Sequence, residues 1–247
     1  LTRNPLASPD ILGFSTGSYT GALLVILAGG STMQIAGGAL AGAAATAAVI
    51  YVLAFQRGVQ GFRFIVVGIA ISAMLASLNT YLMLVSDHDA AISAAVWGAG
   101  TLGNVTWTQT VIGGVAIVLL LAGVTGLARP LRFLELGDDA AQALGVRVEP
   151  ARLALIGVAV ALTAAVTAFA GPIAFVALAA PQIGIRLART AGMALGPAAC
   201  IGALLLCGAD YVAEHLLPVA LPVGVVTVVV GGGYLVYLLV VEGRRRR

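Results

Sequence analysis

Long apolar stretches recur along this chain, separated by short polar or glycine-rich connections. Seven of them approach the roughly 20 residues that a helix needs to cross the hydrocarbon core of a bilayer. They cover residues 11–30, 33–55, 64–85, 108–127, 151–170, 194–212 and 222–241. An eighth apolar stretch, at residues 172–186, is shorter and contains Pro181. The pattern therefore predicts an all-α polytopic membrane protein with about eight transmembrane segments, one of them short or broken.

The short segment follows a predicted helix break. Gly171 and Pro172 end the fifth long span, and Pro181 interrupts the stretch that follows. Proline has no backbone N–H to donate and clashes with the preceding helical turn. A half-length helix is tolerated in a membrane where protein or a cavity surrounds the freed backbone groups. We therefore predict a break over residues 171–181 near the outer side of the membrane, with a short helix after it.

The basic residues predict the orientation. All thirteen are Arg, and two apolar segments separate each group from the next. Every Arg can therefore lie on one face of the membrane, as the positive-inside rule requires, which places both chain ends in the cytoplasm. The groups are Arg3; Arg57 and Arg63; Arg129, Arg132, Arg147 and Arg152; Arg186 and Arg189; and Arg244 to Arg247.

Two connections differ from the others in length and polarity. Residues 86–107 are predicted to form a long outer loop, with Trp97 and Trp107 as interfacial aromatic residues. Residues 128–150 are predicted to form a cytoplasmic stretch, the most polar part of the chain.

Composition excludes several classes of protein. The chain is 60% hydrophobic and only 9% charged, whereas a soluble domain has about 25% charged residues. It contains no Lys, so it cannot carry a Walker A nucleotide site. Cys200 and Cys207 are interpreted as buried small hydrophobic residues. His88 and His215 are interpreted as surface residues of outer connections, so no metal site and no catalytic group are predicted.

Small residues predict close helix packing. Gly13, Gly17 and Gly21 recur every four residues in the first span, and Gly38 and Gly42 repeat this spacing in the second. Such faces let helices approach closely. We expect these contacts within one helix bundle rather than between two copies of the chain.

A short capped helix is predicted in the cytoplasmic stretch. Asp138 can cap it, Asp139 suits its first turn, and Gly145 suits the position after its end. Leu136, Ala140 and Leu144 would then share one face. The pattern alone leaves two alternatives open, a plain linker and a docking surface.

A polar stripe is predicted on the third span. Gly68, Ser72 and Asn79 lie on one side of this helix. The stripe is either a helix-packing face or part of the wall of a translocation pathway, and the pattern does not decide between them.

Four ordered motifs resemble a known family. Residues 3–13, Leu136 to Gly145 with Val146, the Gly-Pro-Ile-Ala-Phe run at 171–175 with Pro181-Gln182, and residues 221–227 are similar to those of the FecCD-type permeases. These are membrane subunits of ABC importers for iron–siderophore complexes, haem and cobalamin. The resemblance covers the whole chain and implies one transmembrane permease domain, residues 1–247, with its coupling loop at residues 128–150. It also leads us to expect that two N-terminal helices of a ten-helix family are missing.

The family resemblance implies a mechanism and partners. The permease would form a two-fold dimer in the bacterial cytoplasmic (inner) membrane, with the second subunit identical or different. An extracytoplasmic binding protein would deliver the substrate, and two ATPase subunits would drive alternating access. The chain itself would bind no cofactor and catalyse no reaction.

The resemblance also implies roles for particular residues. Gly68, Ser72 and Asn79 lie on the helix that lines the pathway in the family. Glu214 and His215 lie where the binding protein docks, although the cobalamin permease has an Arg at the position of Glu214. The ATPases would grip the coupling loop at Leu136, Gly137, Asp138, Asp139, Ala140, Leu144 and Gly145.

Substrate cues within the family favour a ferric siderophore. Trp97, Thr101 and Trp107 lie in a stretch similar to that of siderophore permeases, and Pro181-Gln182 resembles the form found in catecholate-siderophore members. The alternatives are a permease for haem or cobalamin, an ion-coupled secondary transporter and an intramembrane enzyme. An ion-coupled transporter needs ionisable groups at depth, and only Asp210 is a candidate.

Overall fold

A computed structural model describes residues 12–55, 61–103, 105–189, 192 and 194–245 of the chain. Throughout these ranges every long regular element is a helix, which confirms the predicted fold class. The chain divides into two compact units. The first unit is Leu1–Gly98 with Val105–Pro172, and the second is Ala99–Asn104 with Ile173–Arg247. Residues 3–11 of the first family motif, and Arg57, lie outside the described residues.

The described residues of the first unit form seven helices. They are α1 (Phe14–Leu27), α2 (Thr32–Ala54), α3 (Gly61–Val85), α4 (His88–Gly98), α5 (Trp107–Glu135), α6 (Asp138–Ala143) and α7 (Val148–Ala170). In the second unit, the part of the chain that the structure describes forms three helices and a π-helical turn. They are α8 (Val176–Ala188), α9 (Leu195–Tyr211), the turn at Val212–Leu216 and α10 (Val223–Arg245).

Among the described residues, five helices are long and apolar enough to cross a membrane, judged by length and composition. They are Thr32–Ala54, Phe62–Val85, Trp107–Glu135, Val148–Ala170 and Leu195–Leu216. Three shorter apolar helices accompany them: Phe14–Leu27, Val176–Ala188 and Val223–Tyr234. The first span is shorter than the predicted residues 11–30. The 14 residues of α1 reach only about 21 Å at 1.5 Å per residue.

Two predicted boundaries need correction. Residues 86–107, predicted as a loop, contain helix α4. Its packing explains the helix, because Ala94 is fully buried and Trp97 stacks on Tyr19 with ring centroids 6.1 Å apart. Helix α5 continues past its predicted end at residue 127 and through Pro130. Leu131 and Leu134 bury their side chains there, and this packing offsets the hydrogen bond that proline removes.

Glycines bring α1 and α2 into close contact, as predicted. A methyl carbon at Gly38 would lie 2.7 Å from the carbonyl oxygen of Gly21, and one at Gly42 would overlap the carbonyl of Gly17. Ser18 in the same interface donates a hydrogen bond to the carbonyl of Ala39 at 3.0 Å. The predicted small-residue contact is therefore intramolecular.

The second unit is also held together by small residues. A methyl carbon at Gly184 on α8 would lie 3.0 Å from the backbone nitrogen of Ala198 on α9. Gly224, at the start of α10, donates its N–H to the carbonyl of Gly100 at 3.1 Å. Together with the buried cluster of Ala209, Ala213, Val223 and Val226, these contacts pack α9 and residues 99–103 against α10. Cys200 and Cys207 of α9, interpreted as buried, are instead exposed, because the described helices do not cover that side of α9.

Candidate functional site

Helix α6 has well-defined ends. Gly137 precedes it with φ 110°, a left-handed conformation that favours glycine. After its last residue, Gly145 (φ 83°) donates its N–H to Gln142 O at 2.9 Å, and Val146 donates to Ala141 O at 3.0 Å. These two bonds form a Schellman motif, which satisfies the last carbonyls of the helix. The predicted role of Gly145 is thus confirmed in detail.

Asp138 does not have its predicted role as the cap. The N-cap residue is Gly137, no side chain caps the helix, and Asp138 is the first helical residue. Its carboxylate instead accepts hydrogen bonds from Arg152 Nη2 to both oxygens, each at 2.9 Å. Arg152, on the second turn of α7, also donates from Nη1 to Glu149 at 3.2 Å. Sequence reasoning missed this ion pair because its members are fourteen positions apart and on different helices.

The buried residue of α6 is not one of the three that were predicted to share a face. The buried residue is Ala141, which is fully shielded in a cluster with Leu131, Leu134, Val148 and Leu155. Leu136 is 67% exposed and Leu144 is 55% exposed. Asp139 is exposed as well, and Ala140 is partly buried. The connection therefore presents two leucines on its surface, one on each side of the short helix.

On α3, Gly68 and Ser72 pack against the start of α1. A methyl carbon at Gly68 would lie 2.9 Å from the carbonyl oxygen of Leu12. Ser72 Oγ lies 3.0 Å from Thr16 Oγ1, within hydrogen-bond distance. Helix packing therefore explains these two residues, and their role in a pathway stays a prediction.

Asn79, the third member of the stripe, is different. It is 4% exposed, and within the described structure neither its amide nitrogen nor its amide oxygen has a hydrogen-bond partner. A buried amide without partners costs about 1–3 kcal/mol. Helix packing alone does not explain a polar side chain at this position, and a pathway role for Asn79 stays a prediction.

The helix break lies at Gly171 and Pro172, but not at Pro181. Helix α7 ends at Ala170, and the backbone is non-helical up to Phe175, with positive φ at Gly171 (72°) and Phe175 (69°). Pro181 lies inside α8, so the predicted interruption there is wrong. Pro181 is exposed, whereas Leu178, Ala179, Ala180 and Gly184 are buried. Packing of that buried face stabilises the helix across the proline.

Gly231 in α10 accommodates the end of this break. A methyl carbon at Gly231 would lie 2.8 Å from Phe175 Cγ, so only glycine leaves room for the ring. A cavity of about 100 Å³ lies beside this contact and is lined in part by Thr227 and Tyr234. The buried hydroxyl of Tyr234 has no hydrogen-bond partner among the described residues. The run Gly231-Gly232-Gly233 was the only sequence signal for this contact.

Glu214 and His215 lie in the π-helical turn after α9. Both side chains are exposed, and the His215 ring stacks on Tyr211 with centroids 4.8 Å apart. A carboxylate oxygen of Glu214 lies 3.4 Å from the position that a methyl carbon at Gly103 would occupy. The turn therefore presents an acidic group and an aromatic pair on the surface of the second unit, and π-helical turns are frequent at functional sites.

The described residues contain no group of three or more His, Cys, Asp or Glu side chains that could hold a metal ion. What they do contain is a set of apolar helices, a broken helix and an anchored surface helix with exposed leucines. These features define a multi-pass helical membrane protein of the transport class. The chain belongs to the FecCD transport family, whose model matches residues 1–241.

Relatives in this family carry names of iron and haem transport. The ferric enterobactin transport system permease FepG of Escherichia coli (strain K12) is 47% identical over 248 residues, covering 100% of this chain and 75% of the relative. The achromobactin transport system permease CbrC of Dickeya dadantii (strain 3937) is 37% identical, covering 97% of this chain and 70% of the relative. The hemin transport system permease HmuU of Yersinia pestis is 32% identical, covering 100% of this chain and 76% of the relative.

A solved structure shares the fold. It is a metal-chelate type ABC transporter in an inward-facing conformation, with a TM-score of 0.86 and 26% sequence identity, and the match covers 96% of this chain and 77% of the other.

Proposed function

We propose that this chain is the membrane-spanning permease subunit of an ABC importer that takes up a ferric siderophore. The observation that carries the proposal is the 47% identity, over the whole chain, to a permease named for ferric enterobactin. The Pro181-Gln182 pair, similar to the form in catecholate-siderophore permeases, supports the same substrate class.

In this proposal the exposed face around α6 docks an ATPase subunit. Leu136 and Leu144 offer about 1.5–3 kcal/mol each when a partner buries them, and the exposed Asp139 between them can pair with a basic residue of that partner. ATP hydrolysis belongs to the partner subunits, and this chain converts their movement into alternating access. No cofactor is part of the mechanism of this chain.

The remaining partners follow from the same proposal. A second permease subunit, identical or different, completes the pathway in the bacterial cytoplasmic membrane. An extracytoplasmic binding protein docks at the outer end, where Glu214 and His215 are exposed. Because Glu214 is acidic, its contact on the binding protein has to be basic or neutral.

Haem is the second candidate substrate, because a hemin permease is 32% identical over the whole chain. Cobalamin has less support, since the sequence cues around Trp97 favour the siderophore permeases. An ion-coupled transporter has the least. In the described spans the acidic groups away from the Arg-bearing helix ends are Asp210 and Glu214, and both lie near one end of the span Leu195–Leu216 rather than at its middle.

Growth with one iron source supplied at a time tests which substrate the permease carries. A bacterial strain without its own siderophore and haem permeases would express this permease with its partner subunits in iron-poor medium. We expect growth on a ferric catecholate siderophore and none on haemin. Growth on haemin alone would assign the chain to haem uptake, and growth on neither source would refute both assignments.

A further inference from the structure

The ion pair between Arg152 and Asp138 connects the short helix α6 to the membrane-spanning helix α7. Both carboxylate oxygens of Asp138 accept from the same guanidinium nitrogen at 2.9 Å. The Arg152 side chain is only 11% exposed, and that of Asp138 is 41% exposed. Charge-assisted hydrogen bonds of this length are among the stronger ones in proteins.

Glu149 orients the guanidinium. It precedes Arg152 by three positions on α7 and accepts from Nη1 at 3.2 Å. A residue three positions away on a helix lies on the same face. The guanidinium is therefore held from its own helix by Glu149 while its other nitrogen reaches across to Asp138 on α6.

Helix α6 has few other connections to the rest of the first unit. It is six residues long, and Ala141 is its one buried side chain. Glycines with positive φ flank it, Gly137 at 110° and Gly145 at 83°. Glycine leaves the backbone more freedom to rotate than any other residue. Without a cross-link, a force applied to α6 could therefore turn it about these two glycines and leave α7 where it is.

We propose that Arg152 is a positioning residue that fixes α6 to α7, so that a movement imposed on α6 passes into the membrane-spanning helix. This inference rests on the proposed function, in which an ATPase subunit grips α6. In that proposal Leu136, Leu144 and Asp139 form the docking surface. The Asp138 carboxylate, which the family resemblance also assigned to that surface, is instead held by Arg152 in the ion pair. Loss of the ion pair therefore separates ATP hydrolysis from transport without preventing the ATPase from binding.

The test uses the complete importer, reconstituted in proteoliposomes with its ATPase subunits and binding protein. The variants are Arg152→Gln, Asp138→Asn and the charge-exchanged double variant Asp138→Arg with Arg152→Asp. Arg132→Gln is the matched control, since Arg132 is an exposed Arg near the end of α5. Each complex is assayed for co-purification of the ATPase, for its rate of ATP hydrolysis and for substrate transported per ATP hydrolysed.

We expect R152Q to bind the ATPase and hydrolyse ATP as the native complex does, while transport per ATP falls at least about tenfold, because Asp138 has lost its charged partner on α7. D138N should lower transport per ATP in the same way. The charge-exchanged variant should recover much of the coupling, and R132Q should retain all of it. Should R152Q not reach the membrane, D138N carries the same comparison from the more exposed side of the pair.

A second measurement needs no transport. A spin label at the exposed Gln142 of α6, in a background with both native cysteines replaced, should be more mobile in R152Q than in the native protein and regain its native mobility in the charge-exchanged variant. Unchanged mobility together with unchanged transport per ATP would overturn the inference, and so would loss of ATPase binding in both single variants. If the native complex itself neither binds an ATPase nor transports, the proposed function fails, and the label mobility still decides whether the ion pair fixes α6.

Discussion

Single glycines decide how closely the helices of this protein approach. The neighbouring residues Gly37 and Gly38 on α2 show this, because both are helical but only Gly38 contacts another helix. A methyl carbon at Gly38 would lie 2.7 Å from the backbone oxygen of Gly21, whereas one at Gly37 would meet no atom within 4 Å.

We predict opposite effects of alanine at these two positions. Gly38→Ala forces α1 and α2 apart and should cost about 1–3 kcal/mol, seen as a melting temperature several degrees lower for the purified permease in detergent. Gly37→Ala adds only the helix preference of alanine, up to about 1 kcal/mol, and should melt at the native temperature or slightly above. Equal melting temperatures for the two variants would contradict the close α1–α2 contact.

The sequence predicted the roles of single residues correctly where the backbone conformation alone determines them. The positions of Gly145 and Gly171 were predictable, because a helix end or break there needs a conformation that glycine adopts easily. The partner of Asp138 was not predictable, because Arg152 reaches it only after α6 and α7 have packed. Likewise, no local sequence pattern indicates that the amide of Asn79 is buried without a hydrogen-bond partner.

Among whole elements, the hydrophobic pattern located the long spans well and the short elements poorly. Helix α4 was predicted as loop because its eleven residues are too few to show a clear period and lie within a connection. The fourth span was predicted to end at residue 127, yet its helix continues through Pro130. Pro181 was expected to interrupt a helix, yet it lies inside α8. In each case packing of the adjoining face outweighs the lost hydrogen bond, and single-sequence patterns do not report packing.

The exposed leucines that flank α6 are predicted to be needed for binding the ATPase. Replacing both, as Leu136→Asp with Leu144→Asp, puts charges into the proposed ATPase contact and should reduce co-purification of the ATPase at least about tenfold, since each buried leucine contributes about 1.5–3 kcal/mol. The permease should still reach the membrane, because both side chains are exposed in the chain by itself. The matched control, Leu136→Met with Leu144→Met, keeps size and apolar character and should retain the ATPase. Native binding by the Asp variant would show that this face is a plain linker.

At the scale of the whole molecule, the described Arg residues can be compared with the helix ends at which the sequence pattern predicted them. Within the first unit, Arg63 lies at the start of α3, Arg129 and Arg132 lie near the end of α5, and Arg152 lies near the start of α7. These are the helix ends that the positive-inside rule assigns to the cytoplasm. The ion pair of α6 and its exposed leucines lie beside those same ends, where a cytoplasmic ATPase could reach them.

Uptake into proteoliposomes shows whether this chain moves a ferric siderophore with energy from partner ATPases. The complete importer would be reconstituted with radioactive iron bound to a catecholate siderophore outside, and with either ATP or a non-hydrolysable analogue on the side of the ATPases. We predict iron uptake that requires ATP hydrolysis and the binding protein, and that an imposed proton or sodium gradient does not replace. Uptake driven by an ion gradient without ATP would contradict the account.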